Sequence, residues 1–507
     1  MLKESPRSSQ FRAGLLFWIV LLLYYVLLDF QHILFLDPQG IHFIRQTDSL
    51  SFAANYYRHG MHFFTPEVYN LASIGGKAAC EFPVLYYLTA LLYFPFGEQA
   101  YILRLITLTI ASIGFYHLFL ICKKWLNDLW TAIAFSFLII SSTVLLYYSN
   151  NFLPDASAFG LTLIGWYYFL EFRLKDTRRN LILAFFFLTT ASLIKVTYFL
   201  HPVAMAVSYV LPSISLIKNQ SYKQTQIRFT LLLFILSFLV VISWNSYAIY
   251  YNHINKDYYF LTNAFPIWSM SASTISETWD FIINYWHTKY YYPTTLHFLC
   301  VLFIAGVMFI QKVRHELFLP CLFTVAGTLG YFLLFFGQFK DHDYYFITLI
   351  PGIFIFSLTA LATLRSRFPS MSNHWVIKAG LTLLTLLSMF YAQHNVTKRY
   401  LEKDEKFAII TEELKGVREL LDNMQVPSTA KFIIAYDRTP NGGLWSIGRS
   451  GWNIRDTVNS ITTLHEFVTQ GAEYIIFTDK NVAIPPVHST LVGETDHAAV
   501  YKITVVP

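Results

Sequence analysis

The stretch LLFWIVLLLYYVLLDFQHILFL, residues 15–36, is apolar over a length that can cross a lipid bilayer, which takes roughly 20 such residues. It follows Lys3, Arg7 and Arg12, is too long for a signal-peptide core and lacks a cleavage site of small residues. We therefore expect it to be a retained membrane anchor.

Ten further stretches are long and apolar enough to be membrane spans, so the sequence predicts about 11 transmembrane helices. They begin at about Tyr101, Leu129, Ala156, Leu181, Pro202, Phe229, Thr295, Leu317, Tyr344 and Trp375. A shorter apolar piece, residues 82–96, contains two prolines. We expect this piece to lie along the interface or to re-enter the membrane rather than to span it.

The composition of the whole chain agrees with a location in lipid. Of its 507 residues, 55% are hydrophobic, 18% aromatic and only 13% charged, whereas soluble domains carry about a quarter charged residues. This excludes an ordinary soluble globule and, because so much apolar surface cannot stay solvated, a disordered chain. None of the four cysteines is in a C-x-x-C spacing, so neither a disulfide framework nor a zinc site is indicated.

Lysines and arginines in the short connections indicate the orientation. If the N-terminus lies inside, the inner connections hold 17 of these residues and the outer connections before residue 394 hold eight. Since positive charge is retained on the cytoplasmic side, we expect a cytoplasmic N-terminus and, after an odd number of spans, an outer C-terminus. The same bias explains the formal net charge of +6, so we expect no nucleic-acid partner.

Residues 394–507 differ from the rest of the chain. Charged residues return, long apolar runs stop, and strand-like pieces predict a small extracytoplasmic α/β domain that can bury its own core. Its predicted elements are helices over 398–424 and 460–471 and strands over 431–436, 474–478 and 498–506. The expected fold is thus a polytopic α-helical membrane domain over 1–393, with a long first outer loop over 37–100, followed by this α/β domain.

Polar residues that solubility does not explain concentrate in the outer connections. The long first outer loop contains five of them and later outer connections contain four more: Arg45, Asp48, Arg58, Lys77 and Glu81, then Asp155, Lys195, His342 and Tyr345. Ionisable residues near a membrane span are functional candidates by default, because their burial is costly. We therefore expect carboxylates, cations and aromatic rings to converge on one membrane face.

Several of these candidates also have a purely structural explanation. Asp155 fits an N-cap, since aspartate is favoured at helix starts. Lys195 could extend its ammonium from a helix end to the interface. Asp48 could form an ion pair with nearby Arg45, and Glu81 could simply precede an interfacial helix. These alternatives stay open at the level of the sequence.

A carboxylate and separated cations at an outer lipid surface suit glycosyl transfer from a lipid-linked phosphosugar. The carboxylate can act as general base on an attacking hydroxyl, while lysine and arginine neutralise the phosphate that leaves. Nucleotide-sugar chemistry is disfavoured, because no glycine-rich phosphate loop is present. The alternative function is a membrane transporter or lipid flippase, whose signs would be related halves, interrupted helices and charges near the bilayer midplane.

Short strings in the chain resemble those of GT-C class membrane glycosyltransferases, in the protein O-mannosyltransferase and aminoarabinose-transferase superfamily (glycosyltransferase family 39-like, bacterial). In the first outer loop they are Ile44-Arg45-Gln46-Thr47-Asp48, against W-R-Q-x-D, and Glu81-Phe82-Pro83, against E-F-P. Ile194-Lys195-Val196 is similar to the family's lysine string without its Gly-Pro, and Tyr345 followed by Pro351 is similar to its late Tyr and Pro.

The resemblance implies roles for several residues. Asp48 falls on the catalytic carboxylate, and Asp155 falls on a second acidic position that would position the acceptor or orient a cation such as Arg45. Lys195 falls on the lysine that binds the lipid phosphate. The implied enzyme is an inverting transferase whose catalytic domain is residues 1–393. Its donor would be a polyprenyl-phosphate sugar, and its acceptor a lipid, glycan or protein.

Two departures from the family bear on this expectation. Asp48 is followed by Ser49, whereas mannosyltransferases commonly carry an adjacent Asp-Glu pair, and we expect no counterpart of the additional lumenal domain of eukaryotic members. We therefore expect a bacterial enzyme of the inner membrane. Arg58 or Lys77 would assist Lys195 in holding the donor phosphate. No cofactor is needed, although a carboxylate pair could also hold a divalent cation.

Overall fold

The structure of the protein is a computed structural model, and it describes residues 6–215, 221–260, 264–401, 407–455, 461–478 and 488–504. The chain folds as two compact units. The first comprises Met1–Leu34, Leu105–Asn245 and Thr262–Lys398. The second comprises Phe35–Arg104, Ser246–Leu261 and Arg399–Pro507. The long first loop and the C-terminal residues therefore share one unit.

Most of the described chain is helical. In chain order the α-helices are α1 (Pro6–Leu27), α2 (Phe30–Ile33), α3 (Phe43–Arg58), α4 (Val84–Phe96), α5 (Tyr101–Leu126), α6 (Leu129–Ile140), α7 (Thr143–Ser149), α8 (Asp155–Lys175), α9 (Arg178–Ile194), α10 (Leu200–Ser215), α11 (Ser221–Ile254), α12 (Ala272–Phe281), α13 (His287–Tyr290), α14 (Pro293–Met308), α15 (His315–Leu334), α16 (Ile350–Arg367), α17 (Pro369–Ser372), α18 (Trp375–Leu401), α19 (Ile409–Glu413), α20 (Val417–Asn423), α21 (Gly442–Ile447) and α22 (Ile461–Thr469).

The expected polytopic helical membrane architecture is confirmed, but the count of 11 spans is not. In the described part of the chain, six helical segments are long and apolar enough to cross a membrane: α1, α5, α11, α15, α16 with the turn before it, and α18. Two bent pairs, α6 with α7 and α12–α13 with α14, raise the number to eight if each pair is one span. Helices also occupy the predicted spans near residues 156, 181 and 202, but α9 has only 17 residues and α8 is charged at both ends.

Some predicted boundaries are wrong for local reasons. The first span ends at Leu27 rather than Leu36, since Asp29 adopts a left-handed conformation (φ 59°) before α2. The predicted helix over 398–424 is interrupted: α18 continues to Leu401, and Gly416 (φ 79°) separates α19 from α20. Residues 402–406 of that prediction lie outside the described part. The apolar piece over 82–96 forms α4, whose 13 residues are too few to span a bilayer.

The second unit contains a five-stranded sheet. Its strands are β1 (Phe432–Ala435), β2 (Gly451–Ile454), β3 (Tyr474–Phe477), β4 (Ser489–Glu494) and β5 (Ala499–Ile503), in the spatial order β2-β1-β3-β5-β4. The first three strands in that order are parallel, and β5 runs antiparallel to its two neighbours. All residues of β1 and β3 are buried, which explains their uninterrupted apolar sequences.

The predicted elements of this sheet are largely confirmed. Strands β1, β3 and β5 and helix α22 lie where they are expected, while β2 and β4 are not among the predicted strands. The ends of two predictions, residues 460 and 505–506, fall outside the described residues. The predicted domain boundary at residue 394 lies within α18, so the assignment of two domains stays a prediction.

Helix α3 is fixed in the second unit by Phe43. The Phe43 ring is fully buried in the core that contains Phe432, Ile434 and Leu444. A Cβ atom on Gly442 would lie 2.5 Å from the Phe43 ring, so this close approach requires glycine. The packing sets the position of α3, and with it the polar residues that α3 carries.

The first loop is also hydrogen-bonded to the sheet. The backbone N–H of Leu71 donates to the carbonyl of Gly451 at 2.8 Å, and the N–H of Gly451 donates to the carbonyl of Tyr69 at 3.0 Å. Residues 69–71 therefore extend the sheet beside the first residue of β2. The loop over 37–100 is thus part of the same folded body as the strands.

We expect Phe43→Ala to destabilise the protein by about 3–5 kcal/mol, because it deletes a fully buried ring and leaves a cavity. Denaturant unfolding of the detergent-solubilised protein, followed by a probe in the second unit, measures the change. Phe96→Ala is the matched control, since its side chain is 62% exposed, and we expect a loss within about 0.5 kcal/mol. Equal losses in the two variants would contradict the assigned role of Phe43.

Candidate active site

Asp48 lies on α3 and is completely buried. Its Oδ1 accepts a hydrogen bond from the amide Nδ2 of Asn441 at 2.8 Å, and its Oδ2 accepts one from the hydroxyl of Tyr259 at 2.8 Å. The guanidinium of Arg45, one turn earlier, lies 3.6 Å from Oδ2. Three separate stretches of the second unit thus converge on one carboxylate.

These surroundings place the pKa of Asp48 close to neutrality. Burial raises it from the ordinary 3.8 to about 6, although Arg45 and the hydrogen bonds from Asn441 and Tyr259 oppose the increase. The carboxylate is therefore mostly ionised at pH 7. A general base is most effective when its pKa lies near the working pH.

Glu81 is the main partner of Arg45. Nη2 of Arg45 donates to both carboxylate oxygens of Glu81 at 3.2 Å, and the Cys80 thiol and Tyr86 hydroxyl also donate to Glu81. Burial on its own would raise the pKa of Glu81, but Arg45 and these donors outweigh it and hold that pKa below its ordinary value. Glu81 is therefore an ionised anchor for Arg45. We call Arg45, Asp48, Glu81, Tyr259 and Asn441 the carboxylate cluster.

A second polar cluster lies in the first unit. Lys195 follows α9, and its ammonium donates to the carboxylate of Asp155 at the start of α8. The same ammonium lies 4.6 Å and 4.9 Å from the ring centres of Tyr344 and Tyr345, a cation–π arrangement. The ring of His342 lies 5.4 Å and 5.8 Å from those two rings. We call these five residues the lysine cluster.

The structure argues against two of the purely structural explanations, the N-cap role of Asp155 and the extension of Lys195 to the interface. Pro154 occupies the N-cap of α8, so Asp155 is not the N-cap. Asp155 forms an ion pair with the ammonium of Lys195, and its expected role in positioning the acceptor or orienting Arg45 stays a prediction. The side chain of Lys195 is 14% exposed and held by a carboxylate and two rings, which does not fit a side chain that merely extends to the interface.

The structure places Arg58 and Lys77 outside the carboxylate cluster. Arg58 donates to both oxygens of Glu98, at 2.9 Å and 3.0 Å, and to the carbonyl of Gly448 at 2.8 Å. Lys77 follows the short turn Ile74–Gly76, and the described residues provide no hydrogen-bond or ion-pair partner for its ammonium. A contact of either residue with phosphate stays a prediction.

Sequence reasoning missed several members of these clusters. Tyr259, Asn441 and Tyr344 are not among the candidate residues, because their roles depend on contacts with residues far away in the chain. The turn sequence Pro440-Asn441-Gly442-Gly443 was the one available hint for Asn441. Within the described ranges, no group of three or more His, Cys, Asp or Glu side chains could hold a metal ion.

The helices and the sheet define a polytopic membrane protein with the GT-C fold. The chain is similar to ArnT from Cupriavidus metallidurans in the apo state, with a TM-score of 0.59, 12% identity and 98% of each chain covered. It is also similar to the same ArnT bound to undecaprenyl phosphate, with a TM-score of 0.61, 12% identity and coverage of 96% of this chain and 97% of that one.

An archaeal protein has a related architecture. The oligosaccharyltransferase from Archaeoglobus fulgidus in the apo form matches with a TM-score of 0.50 and 12% identity, over 87% of this chain and 66% of that one. The sequence matches no protein-family model and no curated protein sequence. The expected GT-C fold is confirmed by the likeness to these solved structures.

The titration of Asp48 can be measured directly by infrared difference spectroscopy. We expect the carbonyl band of the protonated Asp48 side chain, assigned by its loss in Asp48→Asn, to appear below about pH 6. Tyr259→Phe removes a hydrogen bond that favours the ionised form, so its midpoint should be higher. A wild-type midpoint near 4, or an unchanged midpoint in Tyr259→Phe, would contradict this account of the site.

Proposed function

We propose that the protein is an inverting glycosyltransferase that moves a sugar from a polyprenyl-phosphate donor to an acceptor hydroxyl or phosphate on the outer face of the membrane. The observation that carries the proposal is the buried carboxylate of Asp48, held by Arg45, Asn441 and Tyr259 in a chain with the GT-C fold. The similar ArnT structure with bound undecaprenyl phosphate supports a polyprenyl lipid as the sugar carrier.

In the proposed reaction Asp48 acts as general base. One of its oxygens takes the proton of the acceptor hydroxyl, and the acceptor oxygen forms a bond to the anomeric carbon of the sugar. The bond between that carbon and the phosphate oxygen breaks, and the polyprenyl phosphate leaves with the electron pair. Because the acceptor attacks opposite the leaving group, the configuration at the anomeric carbon is inverted.

We assign the leaving phosphate to Lys195. Its ammonium is oriented by Asp155 and by the rings of Tyr344 and Tyr345, and the side chain keeps some exposure through which a ligand can reach it. A charge-assisted contact with phosphate stabilises the negative charge that develops as the bond breaks. Asp155 would share the ammonium with the phosphate.

The proposed location follows from the charge distribution in the sequence. We place the protein in a bacterial inner membrane with a cytoplasmic N-terminus, because the connections with most Lys and Arg are those on the N-terminal side of the membrane. The C-terminal residues and the acceptor then lie on the periplasmic side. No cofactor has a role in the proposed reaction.

We expect Asp48→Asn to lower transfer by a factor on the order of 10² to 10⁴ or more, because the general base is removed. The assay supplies purified protein in lipid with radiolabelled polyprenyl-phosphate sugars and a membrane extract of the native host. It measures both release of polyprenyl phosphate and label in the acceptor. Asp422→Asn is the control, since this carboxylate is 60% exposed and pairs with Arg449.

Two outcomes of that assay would overturn the proposal. Full transfer by a correctly folded Asp48→Asn would remove Asp48 as the base. Failure of the folded wild-type protein to transfer from any donor would remove glycosyl transfer itself, and flux measurements would then test the transporter alternative.

We expect Lys195→Ala to weaken the binding of polyprenyl phosphate by about tenfold to a hundredfold, the amount expected for one charge-assisted contact. Equilibrium binding of the lipid phosphate to protein in nanodiscs measures the effect. Lys340→Ala is the control, because its ammonium is engaged with Glu277 at 2.7 Å. Equal affinities of Lys195→Ala and the wild type would contradict the phosphate role.

A further inference from the structure

The amide of Asn441 is held at both of its ends. Its Nδ2 donates to Oδ1 of Asp48 at 2.8 Å, while its Oδ1 accepts a hydrogen bond from the backbone N–H of Asn70 at 2.9 Å. A backbone N–H can only donate, so the oxygen must face Asn70 and the nitrogen must face Asp48. The direction of the hydrogen bond to Asp48 is therefore determined by the backbone.

Asn441 belongs to a loop that is closed by Asp437. We call residues 437–443, which follow β1 and include the first two residues of α21, the amide loop. Oδ1 of Asp437 accepts hydrogen bonds from the backbone N–H and the hydroxyl of Thr439, both at 2.7 Å. Its Oδ2 accepts from the N–H of Gly443 at 3.0 Å and from Nδ2 of Asn453 at 2.8 Å. One carboxylate thus connects the beginning of the amide loop, its end and strand β2.

The amide loop has little room to adopt another conformation. Asp437, Thr439 and Asn441 are all at most 1% exposed. A Cβ atom on Gly443 would lie 2.5 Å from Oδ2 of Asp437, and the hydroxyl of Thr439 accepts from the N–H of Gly442 at 2.9 Å. The loop is therefore packed directly around the carboxylate, and a change at Asp437 must alter its path.

We propose that Asp437 is a positioning residue for the reaction of Asp48: its carboxylate folds the amide loop so that Asn441 donates to Asp48 and stabilises the ionised base. This inference rests on the function proposed for Asp48. Under this inference, residues of the C-terminal α/β region help to set the ionisation of the proposed base. Asp437 accepts from four donors, and burial raises its pKa to about 6.

Other groups also affect the pKa of Asp48, and a test has to leave these side chains unsubstituted. Arg45 lies on the same helix, Glu81 lies beyond Arg45, and Tyr259 donates its hydroxyl hydrogen bond. All three are unchanged when Asp437 or Asn441 is substituted. A change in the titration of Asp48 that both substitutions share is therefore transmitted through the Asn441 amide.

The test compares the titration of Asp48 in Asp437→Asn, Asn441→Ala and wild-type protein by infrared difference spectroscopy. Each protein is measured with and without Asp48→Asn, so that the difference belongs to Asp48 alone. We expect both substitutions to raise the midpoint by about 1 pH unit, the effect of losing one hydrogen bond to a charged group. A variant that carries both Asp437→Asn and Asn441→Ala should shift the midpoint little further than either substitution alone, because both act through one hydrogen bond.

The activity profile provides a second readout. The acid limb of kcat/KM should move to higher pH in Asp437→Asn by the same amount as the infrared midpoint, and activity should recover above that limb. A merely structural defect would lower activity at every pH. Asp422→Asn, in the same α/β region, is the control and should leave both the midpoint and the limb unchanged.

Thr439→Val is a milder second variant that tests the same inference if Asp437→Asn does not fold. It removes the hydroxyl that bonds both Asp437 and Gly442 while keeping a similar side-chain shape, and it should shift the midpoint in the same direction by less. The inference is overturned if Asn441→Ala shifts the midpoint and folded Asp437→Asn or Thr439→Val does not. If the wild type transfers no sugar, the proposed function fails, but the infrared comparison still decides whether Asp437 positions Asn441.

Discussion

A carboxylate that is removed from water has to be held by charge and hydrogen bonds, and Asp48 obtains both from distant parts of the chain. Arg45 contributes the charge from one turn earlier on α3. Tyr259 and Asn441 contribute hydrogen bonds from 211 and 393 residues away in sequence. Because Phe43 on the same helix is packed into the sheet core, the site and that core depend on one another. Removal of these partners while Asp48 stays buried would leave its charge without compensation, which is costly.

The two carboxylates near Arg45 are in opposite electrostatic situations. Both carboxylate oxygens of Glu81 accept a hydrogen bond from Arg45 Nη2, Glu81 also accepts from the Cys80 thiol and the Tyr86 hydroxyl, and its pKa is lowered. Asp48 lies at 3.6 Å from the same guanidinium, is compensated less completely, and has a raised pKa. Environments that push two neighbouring pKa values apart are typical of sites in which one group anchors and the other exchanges protons. Glu81 is thus the ionised anchor of Arg45, and Asp48 is the carboxylate to which the proposed function assigns the proton transfer.

Sequence reasoning succeeded where the signal is local and failed where it is not. Long apolar runs identify the helices, and FIIA and YIIF identify β1 and β3, since burial on both faces leaves no polar position. Strand β4 is only partly buried, so its mixed sequence gives no such signal. Asp48 and Lys195 can be found as charges in an apolar chain. Asn441 and Tyr259 cannot, because an amide or a hydroxyl becomes part of the site only through a tertiary contact.

The position of the amide loop explains how a small sheet reaches the carboxylate cluster. Strand β1 lies between β2 and β3 in the sheet. The chain passes from β1 to β2 on one side and then crosses over to β3 on the other side. The carboxyl end of β1 is therefore a topological switch point. Loops at such points are free of the crossing connections and commonly carry function. Here the loop begins directly after β1, folds around Asp437 and ends in α21, whose Gly442 packs against Phe43 of α3. The sheet therefore holds both the helix that bears Asp48 and the loop that bears its hydrogen-bond donor, which keeps the carboxylate and the Asn441 amide in contact.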